Sequence, residues 1–162
     1  MKTGPFTGYC AYPKNTQGFT LVEVIVVIAI LGIFIALAAP NFSGAIANMH
    51  MKSTSFDLIN DLNTARSEAI KRNSNVVISA TSNDWNQGWS IVAGTVTLKT
   101  HEAISSNIEL DANANSITFQ GNGRTSAAVQ ISITSTLSGT TARCIELQVT
   151  GSARSVKEAC LS

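Results

Sequence analysis

The feature that most constrains this chain is an uninterrupted apolar run that holds a single acidic residue. From Phe19 to Ala39 there are 21 residues, and Glu23 is the only charged one. A helix of that length spans about 30 Å, the thickness of the hydrocarbon core of a bilayer. A carboxylate in such a segment costs about 2.5 to 3.5 kcal/mol on insertion scales, so it needs a partner of opposite charge. The nearest candidate is the amine that cleavage after Gly18 would create on Phe19, in the same chain or on a neighbouring subunit.

The residues around this run match a known processing signal. Gly18, Phe19 and Glu23, followed by an apolar helix and Pro40, closely resemble the class III signal of type IV pilins and of type II secretion pseudopilins. The resemblance implies cleavage between Gly18 and Phe19 by a prepilin peptidase, N-methylation of Phe19, and pairing of Glu23 with an N-terminal amine during filament assembly. The alternatives are an uncleaved signal anchor with a stray acid and an ordinary secretory signal, which has a shorter apolar region and a cleavage site after it.

These boundaries divide the chain into three segments. Residues 1–18 form the expected leader, 19–40 the transmembrane and assembly helix, and 41–162 a single small globular domain. Lys2 and Lys14 precede the apolar run, whereas the next charge after it is Lys52. By the positive-inside rule the N-terminus stays in the cytoplasm of a bacterium, the helix crosses the inner membrane, and the domain faces the periplasm before it enters a filament.

Removal of the leader also changes the composition. The mature chain has 144 residues and a formal net charge of −1, so bulk charge gives no argument for nucleic-acid binding. Cys10 is lost with the leader, which leaves Cys144 and Cys160 as an even pair outside the cytoplasm, where a disulfide is expected. The alternative is a pair of free or metal-binding thiols, although two thiols alone make an incomplete zinc site.

Residues 41–73 have the periodicity of a continuing helix. One face carries most of the apolar residues: Phe42, Ile46, Met49, Phe56, Ile59, Leu62, Ala65, Ala69 and Ile70. We expect the C-terminal half of this face, from Phe56 to Ile70, to pack on a sheet. The other face carries the charged residues, which include Asp57 and Asp61 one turn apart, and we expect it to be solvated. Small and polar residues near the start, Gly44, Asn48 and Thr54 among them, suggest an exposed stalk.

Beyond residue 73 the chain is rich in β-branched residues separated by turn formers. The candidate strands are 76–80, 89–93, 95–100, 116–119, 129–133 and 144–149. Two of them alternate between apolar and polar residues, which indicates one buried and one wet face. The sequence therefore predicts an α+β, pilin-like fold with the long N-terminal helix packed on antiparallel sheet.

A second resemblance narrows the family. Residues 62–73, which contain Ala-Arg-Ser-Glu-Ala, look like the helix end shared by the GspH/FimT group. Gly88-Trp89, residues 117–119 with Gly123-Arg124, and a final strand pair are also similar to that group. From the residues alone, Arg66 and Glu68 are expected to be a solvated helix face or a surface ion-pair network, and Trp89 a packing residue.

The C-terminus suggests a further partner, because FimT-type minor pilins bind DNA there. Their motif resembles Gly-Arg-x-Arg, and residues 151–154 keep its glycine and second arginine but have Ser152 in place of the first. Arg143, Arg154 and Lys157 form a candidate DNA-binding patch, with a solvated basic fringe as the alternative.

Enzymatic function is not indicated. His50 and His101 lack metal-ligand spacing and a nearby nucleophile motif, and no glycine-rich phosphate loop is present. We therefore expect no catalysis, no metal and no cofactor. The sequence is identified as that of a FimT/FimU-like minor pilin of a type IV pilus. A GspH-type pseudopilin of type II secretion and a pilus-associated DNA-binding subunit are the alternatives. The implied partners are prepilin peptidase, other pilins or pseudopilins, the inner membrane and DNA.

Overall fold

The structure is a computed structural model that describes residues 18–160, except for the side chains of residues 37–41. Most of the predicted leader, with Lys2, Cys10 and Lys14, therefore lies outside the described residues. The elements in chain order are α1 (Leu21–Arg72), β1 (Val76–Thr81), β2 (Asp84–Ala93), β3 (Val96–His101), β4 (Ile108–Ala112), β5 (Ser116–Phe119), β6 (Val129–Ser135), β7 (Arg143–Leu147) and β8 (Ala153–Val156). The chain divides after Ala38 into two compact units.

The first unit contains the N-terminal part of α1, whose start is set by Thr20. The Thr20 hydroxyl accepts a hydrogen bond from the backbone N–H of Glu23 at 3.2 Å, and the Thr20 carbonyl accepts one from Val24 at 3.2 Å. Threonine is a preferred residue at this position because its side chain satisfies a backbone donor that the helix leaves free. The helix therefore begins immediately after the predicted cleavage site.

Nearly all the large apolar side chains described in this first unit are exposed. They are Phe19, Leu21, Val22, Val24, Ile25, Val26, Val27, Ile28, Ile30, Leu31, Ile33, Phe34 and Ile35. The predicted span of 19–40 extends into positions 37–40, where side chains are not described. In the part of the chain that the structure describes, no helix is both long and apolar enough to cross a membrane.

The second unit contains two four-stranded antiparallel sheets. The sequence predicted antiparallel pairing but not the division of the strands into two sheets. The first sheet has the order β3-β2-β1-β5, with Ile78 opposite both Ile91 and Ile117. The second has the order β4-β6-β7-β8, with Ile131 opposite Ile145. The prediction of an α+β fold with antiparallel pairing is confirmed.

The Asn86 side chain joins the two sheets. Its amide nitrogen donates to the Leu110 carbonyl at 3.3 Å, and its oxygen accepts from the Leu110 N–H at 2.8 Å. Since Asn86 lies in β2 and Leu110 in β4, this one amide satisfies backbone groups at the junction between the sheets. The inner faces of both sheets and one side of α1 share a single apolar core.

Two strands were not predicted. Strand β4, with the sequence Ile-Glu-Leu-Asp-Ala, has the alternating pattern of a half-buried strand, and its Ile108 and Leu110 are buried. Strand β8 is short and pairs only with β7. The predicted strand at 144–149 is shorter, because β7 ends at Leu147 and a turn follows in which Gly151 N–H donates to the Gln148 carbonyl at 2.8 Å.

The predicted buried face of α1 is partly wrong. Leu62, Ala65 and Ala69 are buried as expected, but Phe56 is 53% exposed. In the same segment, which was predicted to pack on the sheet, Ile70 is exposed and Ile59 is partly buried. In the N-terminal half of the apolar face, Phe42, Ile46 and Met49 are exposed. The buried face instead combines large apolar residues with small and polar ones: Ala47, Met51, Thr54, Ser55, Leu58 and Asp61.

The predicted exposed stalk is also wrong for Gly44, Asn48 and Thr54. The loop between β6 and β7 lies on this part of α1, and a side chain at Gly44 would come within 2.6 Å of the Ser138 carbonyl oxygen. The Asn48 side chain donates to the Gly139 carbonyl at 3.0 Å and accepts from the Thr141 N–H at 2.9 Å. Thr54 is buried. Small and polar residues on this helix thus mark a covered face.

Candidate assembly and binding sites

The predicted cleavage site lies outside the hydrogen-bonded helix. Gly18, Phe19 and Thr20 are exposed and have no regular secondary structure. The Phe19 side chain is 81% exposed. The bond between Gly18 and Phe19 therefore precedes α1 and lies in exposed, irregular backbone, the kind of segment that proteases cut most readily.

Glu23 lies in the first turn of α1, next to the predicted new chain end. It lines a shallow apolar groove with Phe19, Val24, Val27 and Ile28. A carboxylate in the first turn is favourable because the helix dipole leaves partial positive charge there. None of the salt bridges among residues 18–160 includes Glu23.

The three basic residues of the predicted DNA-binding patch do not share one surface. Arg154 is opposite Glu146 in the β7–β8 pairing, and its terminal nitrogen lies 2.6 Å from the Glu146 carboxylate. Arg143 is opposite the buried Ile133 in the β6–β7 pairing. Residues two apart in a strand share a face, so Arg143 lies with Ile145 on the inner face of the sheet. Lys157 follows the end of β8 and is exposed.

The inner face of this sheet packs against α1, and Arg143 and Arg154 lie on opposite faces of the sheet. Ser155 lies between Arg154 and Val156 in β8 and accepts a hydrogen bond from the Ser55 hydroxyl of α1 at 2.9 Å. Arg154 therefore lies on the outer face, where Glu146 compensates its charge. The structure does not assemble these residues into one uncompensated basic patch.

Cys144 and Cys160 form the disulfide that the cysteine count suggests, with their Cα atoms 4.9 Å apart. Cys144 is fully buried in β7, and Cys160 follows β8. The bond ties the segment after β8 back to β7. Strand β8 lies at the sheet edge, with only β7 as a hydrogen-bonded neighbour, so this covalent link secures an edge that has few contacts of its own.

A buried polar cluster around Asp61 was missed, because Asp61 was assigned to a solvated face. The Asp61 side chain is only 1% exposed and accepts a hydrogen bond from Trp89 Nε1 at 2.9 Å. Its other oxygen lies 2.5 Å from Lys99 Nζ, and that lysine is 50% exposed. His101 stacks on the Trp89 ring with centroids 3.9 Å apart.

Arg66 is also more than part of a solvated face. Its Nε donates to the Gly123 carbonyl at 3.1 Å, and side chains added at Gly123 or Gly151 would meet the arginine. Gly123 and Gly151 have φ of 75° and 78°, a conformation that glycine adopts without steric cost. Arg66 thus holds the β5–β6 and β7–β8 turns against the end of α1.

Glu68 does form the surface ion pairs that were expected. Its carboxylate lies 2.8 Å from Arg72 Nε and 3.4 Å from Lys71 Nζ. The hydrogen bond from Arg72 is the main reason that the pKa of Glu68 lies below its usual value. The pKa of Asp84 is also lowered, chiefly by a hydrogen bond from the Asn86 backbone N–H.

Two comparisons of the sequence identify relatives of this chain. A family model described as "Prokaryotic N-terminal methylation motif" matches residues 13–39, and one described as "Type II transport protein GspH" matches residues 56–152. A protein named "Fimbrial protein" from Pseudomonas aeruginosa is 35% identical over 71 residues, which cover 44% of this chain. The chain spans about half the length of the curated relatives it matches, 46% in this case.

The fold is similar to those of two kinds of solved pilin-like protein. The type IV minor pilin FimU of Pseudomonas aeruginosa superposes with a TM-score of 0.60 at 23% identity, covering 69% of this chain and 93% of FimU. The minor pseudopilin EpsH from the type 2 secretion system of Vibrio cholerae gives 0.53 at 13% identity, covering 67% and 97%. These likenesses show a shared fold, and the family model over residues 56–152, more than half of the chain, shows that the chain belongs to the GspH family.

Proposed function

We propose that this chain is a FimT/FimU-like minor pilin of a type IV pilus. In this proposal a prepilin peptidase cleaves it after Gly18, Phe19 is methylated, and the subunit primes or joins filament assembly from the inner membrane. The domain of residues 41–162 faces the periplasm, and the partners are other pilins of the filament. The pilus is favoured over type II secretion by the likeness to a fimbrial protein and by the Cys144–Cys160 disulfide near the C-terminus.

The observation that carries the proposal is the unpartnered apolar surface of the first unit. Thirteen large apolar side chains, from Phe19 to Ile35, are exposed there. Exposing such a surface to water is unfavourable by about 25 cal/mol for each Å² of apolar area. A bilayer or a bundle of like helices removes that cost, and transfer from one to the other is the process that a membrane-stored filament subunit requires.

The second unit has exposed apolar side chains of its own. Phe42, Ile46, Met49 and Phe56 are exposed and recur every three, four or seven residues, so they lie along one side of α1. Lys52 Nζ lies 5.7 Å from the centre of the Phe56 ring. An apolar row on the uncovered side of a helix is typical of a protein interface, so in our proposal this row contacts neighbouring subunits.

Intact mass of the membrane-extracted protein tests the processing step. The expected mass is that of a chain starting at methylated Phe19. A Gly18→Val variant should keep its leader, because the peptidase must accommodate a residue without a side chain at this position. Recovery of wild-type protein with residues 1–18 still attached would refute the proposal.

The role of Glu23 is tested by three matched variants. Glu23→Leu and Glu23→Gln should be cleaved normally but enter filaments poorly, because each removes the charge that pairs with the new amine. Glu23→Asp keeps the charge and should assemble better than either. Equal incorporation of all three into sheared filaments would show that charge at position 23 has no part in assembly.

Deletion of the gene separates the two filament systems. A minor pilin of a type IV pilus should be needed for surface filaments, while secretion of folded proteins by a type II system stays normal. Loss of secretion with intact pili would instead identify a GspH-type pseudopilin.

A further inference from the structure

The turn between β5 and β6 contains an asparagine that is followed by glycine. Asn122 is the only asparagine of the chain with glycine directly after it. In such a pair the backbone nitrogen of the glycine can attack the side-chain carbonyl carbon of the asparagine, because no glycine side chain hinders the approach. Asparagine is accordingly counted among the chemically labile residues of proteins. Asn122 is therefore a candidate site of spontaneous modification in water.

The hydrogen bonds of this turn occupy both of the groups that would react. The Gly123 N–H donates to the Gln120 carbonyl at 2.8 Å. The side-chain oxygen of Asn122 accepts a hydrogen bond from the Arg124 N–H at 3.0 Å. Attack requires the Gly123 nitrogen to give up its proton and turn toward the Asn122 side chain. The reaction therefore breaks the first hydrogen bond and disturbs the second.

Arg66 and Gly151 fix the same turn from the side. Arg66 is half-buried, and its Nε donates to the Gly123 carbonyl at 3.1 Å. A side chain at Gly151 would collide with that carbonyl oxygen as well as with Arg66, so the three groups are in close contact. Gly123 itself is buried, with a φ of 75°, whereas Asn122 is exposed. The turn can therefore change shape only when the contact between Arg66 and Gly123 opens.

We propose that Asn122 is a site of self-modification, which the contact between Arg66 and Gly123 keeps closed in the folded chain. The Gly123 nitrogen forms a bond to Asn122 Cγ, and the side-chain amide leaves as ammonia with the proton from that nitrogen. Water then opens the resulting succinimide ring at one of its two carbonyl carbons, which leaves aspartate or isoaspartate at position 122. The reaction needs no oxidant, metal or enzyme. The inference is independent of the proposed function, because it depends only on this turn and its contacts.

The product matters to the fold because isoaspartate adds a carbon atom to the backbone of the turn. The lengthened turn cannot keep both the bond from Gly123 to Gln120 and the bond from Arg66 to Gly123 in their present positions. Arg66 lies near the end of α1, so the modified chain loses a contact that joins the helix to the β5–β6 turn. The folded state thus slows a reaction whose main product would weaken the fold.

Ageing of the full chain in detergent, in warm and mildly alkaline buffer, tests the inference. Peptide mass spectrometry measures the fraction of Asn122 in which a hydroxyl has replaced the amide, and it separates aspartate from isoaspartate. Only the open fraction of the turn reacts in the folded chain. Conversion should therefore be about tenfold or more faster when the same chain is unfolded in guanidinium.

Variants of Arg66 identify the contact that slows the reaction. Arg66→Ala should raise the rate in the folded chain about tenfold, because the Gly123 carbonyl loses a hydrogen bond from a charged donor. Arg66→Lys keeps the charge and the aliphatic stem but lacks Nε, so its rate should lie between those of the wild type and Arg66→Ala. Asn122→Gln should show no conversion at this position, because its longer side chain closes a ring much less readily.

Two further variants are matched controls. Arg72→Ala removes a neighbouring arginine that is paired with Glu68, so conversion at Asn122 should remain at the wild-type rate. Asp61→Ala removes a buried hydrogen-bonded group outside the turn and controls for a general loss of stability. Conversion in folded Asp61→Ala should be slower than in folded Arg66→Ala.

Four results would overturn the inference. Absence of conversion in the unfolded chain would show that Asn122 is not reactive, and equal rates in the folded and unfolded chain would show that the fold does not restrain it. A rate for Arg66→Ala no higher than that of Arg72→Ala would exclude a role for Arg66. A rate for Asp61→Ala as high as that of Arg66→Ala would attribute the change to global unfolding. The readout is the mass of one peptide, so neither cleavage after Gly18 nor filament assembly affects it.

Discussion

The two lengths of α1 have the same secondary structure but opposite relations to solvent. From Leu21 to Ile35 the large apolar side chains are exposed. From Gly44 to Ala69, one side of the helix is buried under the chain's own loop and sheets, and residues as polar as Asp61 are enclosed with it. Helix formation alone does not determine whether a side chain is buried or exposed. Among the described residues nothing covers the first length, whereas the sheets and a loop cover one side of the second.

The largest expected change in stability on the covered side of α1 is at Asp61. In Asp61→Ala the Trp89 N–H and the Lys99 ammonium lose their shared acceptor, so the free energy of unfolding should fall by about 3 to 4 kcal/mol. Urea unfolding followed by tryptophan fluorescence measures the change, since Trp85 and Trp89 are both in the core.

Asp57 is the matched control for Asp61. It lies one turn away, outside the core, and its one described contact is a hydrogen bond of 3.5 Å from Ser53. Asp57→Ala should change stability by less than about 0.5 kcal/mol. Similar losses at the two positions would contradict the distinction between the covered and uncovered sides of α1.

The disulfide is expected to have the next largest effect. Replacing both Cys144 and Cys160 by serine opens a loop with a sequence separation of 16, and the chain-entropy estimate for such a loop is about 3 kcal/mol. The melting temperature in the presence and absence of a reductant measures it. Reduction should lower the wild-type value to that of the double variant, and it should leave the double variant unchanged.

Glycine substitutions compare the two lengths of α1 directly. Gly44→Ala places a methyl group 2.6 Å from the Ser138 carbonyl, so it should destabilise the second unit by about 1 to 2 kcal/mol. Gly32→Ala meets no atom within 4 Å and should not destabilise the chain. Equal responses in thermal unfolding would show that the β6–β7 loop does not pack on the helix as described.

The smallest effect is a change in pKa at the exposed end of α1. The Arg72 hydrogen bond lowers the pKa of Glu68, so this pair adds stability above the unfolded pKa and loses it as the pH falls through the folded pKa. Arg72→Ala should raise the Glu68 pKa toward its usual value in a carboxyl NMR titration. The pKa of Asp84, which is set by Asn86, should not move.

Much of the fold could be predicted because local pattern and tertiary structure agree. The alternation of Val129, Ile131 and Ile133 in β6 predicted their burial, and the run from 116 to 119 became β5. The same alternation was present in β4, where Ile108 and Leu110 gave a signal that could have been used. Strand β8 gave a weaker sequence signal, because it has four residues, of which three are half-buried and one is exposed.

The side of α1 that packs inward could not be read from the sequence. Apolar residues occur on both sides of the helix, so the periodicity predicted an apolar face but did not identify which side packs on the sheets. Phe56 is large and exposed, whereas Ser55 is small, buried and bonded to Ser155. The partners of Asp61 are 28 and 38 residues away in the chain, and no local pattern reports a hydrogen bond of that range.

The hydroxyl of Thr20 has a consequence for maturation. It caps α1 from a position after the bond between Gly18 and Phe19, so removing the leader takes away none of the hydrogen bonds that begin the helix. The shortened protein would keep a formed first turn, with its fresh ammonium group two residues ahead of Leu21. In the proposed sequence of cleavage and assembly, the start of this helix would then need no refolding between the two steps.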